Sequence, residues 1–95
     1  MLEKKNYTNG QVVYNIDNNI LTYYYKTGKI KAQGPFENNK MEGQWKFYRE
    51  SGQLWQIGNF LNEQKHGKWI RYNKENLQEY NESFENGKLI KTKKL

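Results

Sequence analysis

A chain of 95 residues is enough for one domain. Leu, Ile, Val and Phe supply only 19 of them while 15 are Phe, Trp or Tyr, so any core is thin and aromatic. The absence of cysteine excludes a disulfide framework, a thiol nucleophile and the usual zinc ligands. The formal charge of +6 rests on 14 Lys and only 2 Arg in an Asn-rich chain, and it reads as general surface chemistry that also blunts sheet edges.

Residues 1–18 read as a partial unit that caps one end. Its start, MLEKKNYTNG, has no apolar signal region, and the whole chain has no apolar run of membrane-spanning length, so a cytoplasmic location is expected. Asn9-Gly10 is a hairpin turn signal, residues 11–16 a strand, and Asp17-Asn18-Asn19 the next turn. Residues 19–42, 43–66 and 67–90 then align without a gap at a period of 24 residues. The alignment superposes Phe36, Phe60 and Phe84, and also Tyr24, Tyr48 and Tyr72. It matches Trp45 with Trp69, Gly43 with Gly67, Gly28 with Gly52 and Gly34 with Gly58. Residues 91–95 are left as a basic tail.

Each unit reads as a β-hairpin. In the middle one, residues 44–49 and 53–60 are rich in aromatic and branched side chains and are bounded by Gly or Asn. Gly28 and Gly52 supply the left-handed residue of a turn with a bulge; Asn38-Asn39, Asn62-Glu63 and Asn86-Gly87 supply the opposite, two-residue turns. Pro35 needs an unpaired amide or a bulge. Period-two counting puts Trp45 and Phe47 on one face of the leading strand. On the returning strand it puts Leu54, Gly58 and Phe60 on one face, with Trp55 and Ile57 opposite. Gly34 and Gly58 are expected to give neighbouring aromatic rings room to lie across a strand. With Trp45, Trp69, Phe36, Phe60, Phe84, Gly28 and Gly52 they form the structural set. The third unit departs from the pattern, with Asn76 for the turn glycine and Glu82 for the strand glycine, as terminal repeats do.

The pattern Gly43-x-Trp45-x-Phe47-Tyr48, Gly52-x-Leu54, Gly58-x-Phe60, followed by Gly67-x-Trp69, resembles the bacterial variant of the MORN repeat. The resemblance covers residues 19–90 and is most specific in the middle unit; Asn19 and Leu21 replace its glycine and tryptophan in the first. It implies an all-β antiparallel meander of three 24-residue hairpins forming an elongated twisted sheet. It also implies a non-catalytic binding or assembly module, in a family that includes antitoxin-type proteins.

Chemistry points the same way. His66 is the only histidine, at a unit boundary, and reads as a solvated turn residue; Asp17 is the only aspartate, which leaves no hard-metal cluster. Glu79 and Glu82 fall on opposite faces of a strand, so no paired carboxylates are set up. The expectation is therefore no catalytic residue, metal or cofactor. Another protein is the expected partner, held by Trp55, Tyr25 and Ile57. The positions matching Trp55 carry Lys31 and Glu79, which a buried site would rarely tolerate. Anionic lipid bound by Lys88, Lys91, Lys93 and Lys94 is the alternative. Single-stranded nucleic acid, stacking on Tyr23, Tyr25, Phe47 and Trp55, comes third because no RNA-recognition signature is present. Self-association would run through a sheet edge.

Overall fold

The computed structural model describes residues 5–95, which form one open antiparallel sheet of ten strands with no helix. The strands are β1 (Tyr14–Asp17), β2 (Ile20–Tyr24), β3 (Ile30–Glu37), β4 (Lys40–Met41), β5 (Gly43–Tyr48), β6 (Leu54–Leu61), β7 (Gln64–Lys65), β8 (Gly67–Tyr72), β9 (Gln78–Glu85) and β10 (Lys88–Lys94). They lie in the order β1-β2-β3-β5-β6-β8-β9-β10, with β4 hung on β3 and β7 on β6. At about 4.8 Å per strand, this row accounts for the longest dimension of a slab 40 × 33 × 20 Å.

Two kinds of turn alternate along the chain. Asn18-Asn19, Asn38-Asn39, Asn62-Glu63 and Asn86-Gly87 place both residues at positive φ, from 49° to 84°, the two-residue hairpin whose twist matches its strands. Glu63 has the least intrinsic tolerance for this conformation. Its carboxylate accepts the Met41 N–H and its own N–H donates to the Met41 carbonyl at 3.0 Å, which ties the turn to the preceding unit. The wider turns close at Tyr7–Gln11, Tyr25–Lys29, Arg49–Gln53 and Asn73–Leu77, each by a 2.8 Å backbone bond. Gly10, Gly28 and Gly52 sit in them at φ 91°, 94° and 97°, with Asn76 at 66°. Asn9-Gly10 therefore belongs to this wider class. The strand expected over 11–16 is displaced: Val12 makes only a bridge to Asn6, and β1 starts at Tyr14.

Units join differently from the way they fold internally. Within the middle hairpin the ladder runs from Gly43↔Phe60 to Tyr48↔Leu54. Between consecutive 24-residue units the paired residues are Ala32↔Phe47 with Gln33↔Lys46, and Gln56↔Arg71 with Ile57↔Ile70. The strands splay because the chain turns sharply at Gly43 and Gly67, at φ 67° and 71°; Asn19 occupies the matching place at 63°. This break, which separates β4 from β5 and β7 from β8, was not expected from the sequence. Tryptophan fills the gap it leaves. The Trp45 indole N–H donates to the Pro35 carbonyl and that of Trp69 to the Asn59 carbonyl, both at 2.9 Å. Proline fits here because Phe36 N–H donates to Asn19. The adjacent nitrogen of Pro35 then points away from β2, toward the splayed side where no ladder bond is missed.

Each indole lies on a glycine. A Cβ added at Gly34 would come within 2.3 Å of Trp45, and one at Gly58 within 2.1 Å of Trp69. Trp45, fully buried, crosses β3 to join Leu21 and Ala32 in the core cluster, with Tyr14, Tyr23, Phe36, Met41, Phe47 and Phe60 packed around it. Phe60 stands edge-on between Trp45 and Trp69, at 6.0 and 5.2 Å, and Phe84 edge-on to Trp69 at 6.1 Å. Glu82 explains itself in the same frame. It pairs with Trp69 on one side and Thr92 on the other, and among the described residues no indole lies across it as Trp69 lies across Gly58.

The basic segment at 91–95 is not a tail. Lys88 opens β10 where Lys40 opens β4 and Gln64 opens β7, and here the chain continues along β9 to Lys94, with a bulge at Ile90. This lysine-rich strand is the exposed edge of the sheet, the composition that resists edge-to-edge pairing.

Candidate functional site

The ring-bearing face of the sheet carries a groove of about 240 Å³ at the junction of the first two hairpins. Tyr23, Lys31 and Ala32 line it from β2 and β3, Met41 from β4, Phe47 and Tyr48 from β5, Trp55 from β6, and Tyr25 from the wide turn. Its floor exists because Ala32 is small. At the next junction the matching positions carry Gln56 for Ala32, Lys65 for Met41, Arg71 for Phe47 and Glu79 for Trp55. There Lys65 lies over the Trp69 and Phe84 rings at 4.6 and 4.8 Å. One apolar groove thus arises from a repeat whose copies have diverged.

Trp55 reaches this groove through a β-bulge. Phe47 pairs with Gln56 but Tyr48 pairs with Leu54, so Trp55 is the extra residue of β6. Lys31 and Glu79 are the extra residues of β3 and β9 in the same way. The bulge corrects the expectation that Trp55 and Ile57 share a face. Trp55 is turned to the side of Tyr23, Ala32 and Phe47, while Ile57 pairs with Lys46 and Ile70 on the opposite face. Strict alternation also fails for Leu54, which stands opposite Tyr48. The tolerance of this position for Lys, Trp and Glu follows from its place outside the regular ladder. A sequence signal existed: counting back from the Arg49–Gln53 turn, Gly58 can face Trp45 only if one residue of the returning strand is skipped.

Tyr25 is both wall and fastener. Its hydroxyl donates to the Tyr48 carbonyl at 2.6 Å, as Tyr7 donates to Tyr24 at 2.7 Å and the Arg49 guanidinium to Tyr72 at 2.9 Å. The first three wide turns are thereby each tied to the next unit. Burial pushes the Tyr23 hydroxyl above its ordinary value near 10, reinforced by the Glu63 and Tyr14 charges. Tyr25 is raised by burial first and then by Glu50, against the lowering effect of Arg49. A raised folded-state value means the neutral phenol is favoured by folding; this stability is present below pH about 10 and is lost as pH rises through the folded values. Alkaline titration followed by tyrosinate absorbance should show Tyr23→Phe and Tyr25→Phe each removing a late-titrating phenol.

Two guanidiniums border Trp55 beyond the groove. Arg49 and Arg71 lie over its ring, at 6.0 and 5.7 Å from the centroid, and Arg71 also lies 5.3 Å from the Tyr80 ring. The Nε of each is buried and without a hydrogen-bond acceptor. Sequence reading gave these arginines no role.

The remaining candidates are scattered. Lys88, Lys91 and Lys93 pair with Glu85, Ser83 and Asn81 and share the face of Ile57, whereas Lys94 pairs with Tyr80 on the ring-bearing face. His66 is half-buried, with its backbone N–H donating to the Asn59 carbonyl and its ring Nδ1 enclosed without a partner, so it is not a freely solvated turn residue. Among the described residues no group of His, Cys, Asp and Glu could hold a metal ion. Nor is any helix among them long and apolar enough to cross a membrane.

No curated protein and no solved structure matches the chain. The family model of the MORN repeat variant matches it twice, over residues 18–38 and 41–62. The first match holds the β2–β3 hairpin and Gly34, and the second holds Trp45, the bulge at Trp55 and Gly58. The two hairpins it matches, the second locked to the first by Trp45 laid on Gly34, are MORN-variant repeats.

Proposed function

We propose that the chain is a non-catalytic module that binds another protein through the groove of Tyr23, Ala32, Phe47 and Trp55. The observation that carries this is the bulge, which takes a tryptophan out of the ladder and presents it, half-buried, at a groove with no other side chain filling it. Large aromatics held this way are the usual anchors of protein interfaces. Trp55→Ala should leave the melting temperature nearly unchanged, since the ring is not in the Leu21–Ala32–Trp45 cluster, and should weaken the partner complex by about 2 kcal/mol or more. Affinity capture with the parent and with Trp55→Ala side by side tests it, because the partner must be retained by the first and lost by the second. The antitoxin-type role would be carried by one stoichiometric toxin-like protein in that comparison. Tyr25 contributes as a wall of the groove, and Ile57, on the other face, has no part in it.

The second reading, an anionic lipid surface, is favoured by a different face. Lys46, Lys68, Lys88, Lys91 and Lys93 all project from the side opposite the rings, as their pairings with Ile57, Ser83, Glu85 and Asn81 require. That reading predicts flotation with anionic vesicles that falls as salt rises to about 0.15 M, where the Debye length is about 8 Å. Gln at positions 68, 91 and 93 should abolish it, and Lys94→Gln should not. Self-association through an edge would use β1, since β10 presents lysines.

A further inference from the structure

The geometry points to an acidic peptide as the occupant of the groove, with an apolar side chain seated against Trp55 and a carboxylate received by Arg49 and Arg71. This rests on the protein-binding reading and names what that partner must carry. The only two arginines of the chain, set 22 residues apart in sequence, converge on one tryptophan ring, while 14 lysines are spread over the molecule. Among the described residues neither guanidinium is ion-paired to a carboxylate, and each has an enclosed Nε without an acceptor. Partly enclosed cations without counter-charges are held at a cost that an arriving carboxylate relieves, and the planar guanidinium is the side chain that receives carboxylates in paired fashion.

The apolar half of the ligand is set by the groove itself. Its walls are the rings of Tyr23, Phe47 and Trp55 with Met41, and its volume of about 240 Å³ suits one large side chain. Lys31, whose Nζ lies 5.7 Å from the Tyr25 ring, puts a third positive charge on the opposite wall. A nucleic acid fits less well. The guanidiniums already lie over the one indole in the groove, and the remaining walls offer little for a base to hydrogen-bond.

Selection of a random peptide library on the intact chain tests the inference, with Trp55→Ala and the Arg49→Gln/Arg71→Gln double variant as parallel baits. Circular dichroism and melting first establish that both variants are folded. Peptides enriched on the parent over Trp55→Ala should carry Asp or Glu beside an aromatic or large aliphatic residue. One such peptide should bind about tenfold more tightly than its Asn or Gln counterpart, the scale of a charge-assisted hydrogen bond. The double variant should erase that difference while still binding the amide form. Enrichment of apolar peptides with no acidic preference would overturn the inference and leave the groove reading standing. No enrichment over Trp55→Ala would overturn both. A single-stranded oligonucleotide bound through the arginines, with no acidic peptide selected, would assign them to phosphate and overturn it as well.

Discussion

Gly58→Val is expected to unfold the chain, and Glu82→Val, at the matching position one unit later, to be tolerated. A Cβ at Gly58 falls 2.1 Å from the Trp69 ring, closer than any real contact, and the atoms it meets are those of a rigid indole that is almost fully buried. The indole cannot retreat. Its N–H is held by Asn59 and its flanks by Phe47 and Phe60 at 5.6 and 5.2 Å. Gly58 itself is fixed opposite Trp45 in the ladder. Overpacking ordinarily costs about 1 to 3 kcal/mol where side chains can shift, and more where they cannot. Three kcal/mol is a large share of the stability of a domain this size. At Glu82 no ring crosses the strand, so a branched residue fits the pleat and suits a β-strand. Thermal melts of the two variants beside the parent decide the matter, and equal melting of Gly58→Val and the parent would mean that the indole does not lie where it is described.

Trp45→Ala carries the second large effect. The ring has no exposed surface, joins two units by touching Leu21 and sitting on Gly34 in the first while pairing with Gly58 in its own, and satisfies the Pro35 carbonyl with its N–H. Its removal should cost about 3 to 5 kcal/mol, the range for large aromatic truncations in cores. In a single-layer sheet no second layer can collapse into the void. Loss of the cooperative denaturant transition, or a shift equivalent to that range, is the expected reading. Trp69→Ala should cost less, because its ladder partner is Glu82, whereas Trp45 faces the covered Gly58.

Much of this frame was legible in the residues. Asparagine and glycine mark the turns because only they take positive φ cheaply, and the pairing of a strand glycine with a tryptophan one unit on is a steric necessity that repeats visibly. What was not legible depends on register. The bulge at Trp55 inverts parity beyond it, so alternation assigned Trp55 and Ile57 to one face when they lie on two. The left-handed Gly43 and Gly67 read as repeat markers, yet they break the leading strand and create the gaps the tryptophans fill. The Tyr25 to Tyr48 and Arg49 to Tyr72 bonds escaped notice because different side chains perform one task at one repeat position. The groove depends on divergence between copies, Ala32 against Gln56 and Met41 against Lys65, which a consensus of the units averages away.

The functional account stands on the direction in which Trp55 points. Nuclear Overhauser spectroscopy of the folded chain measures it, because Arg71 and Ile70 are adjacent on β8 and project to opposite faces. Cross-peaks from the Trp55 indole to the Arg71 side chain are predicted, in keeping with a guanidinium 5.7 Å from the ring centroid. Cross-peaks from that indole to the Ile70 methyls, with none to Arg71, would place Trp55 on the lysine-bearing face and contradict the account.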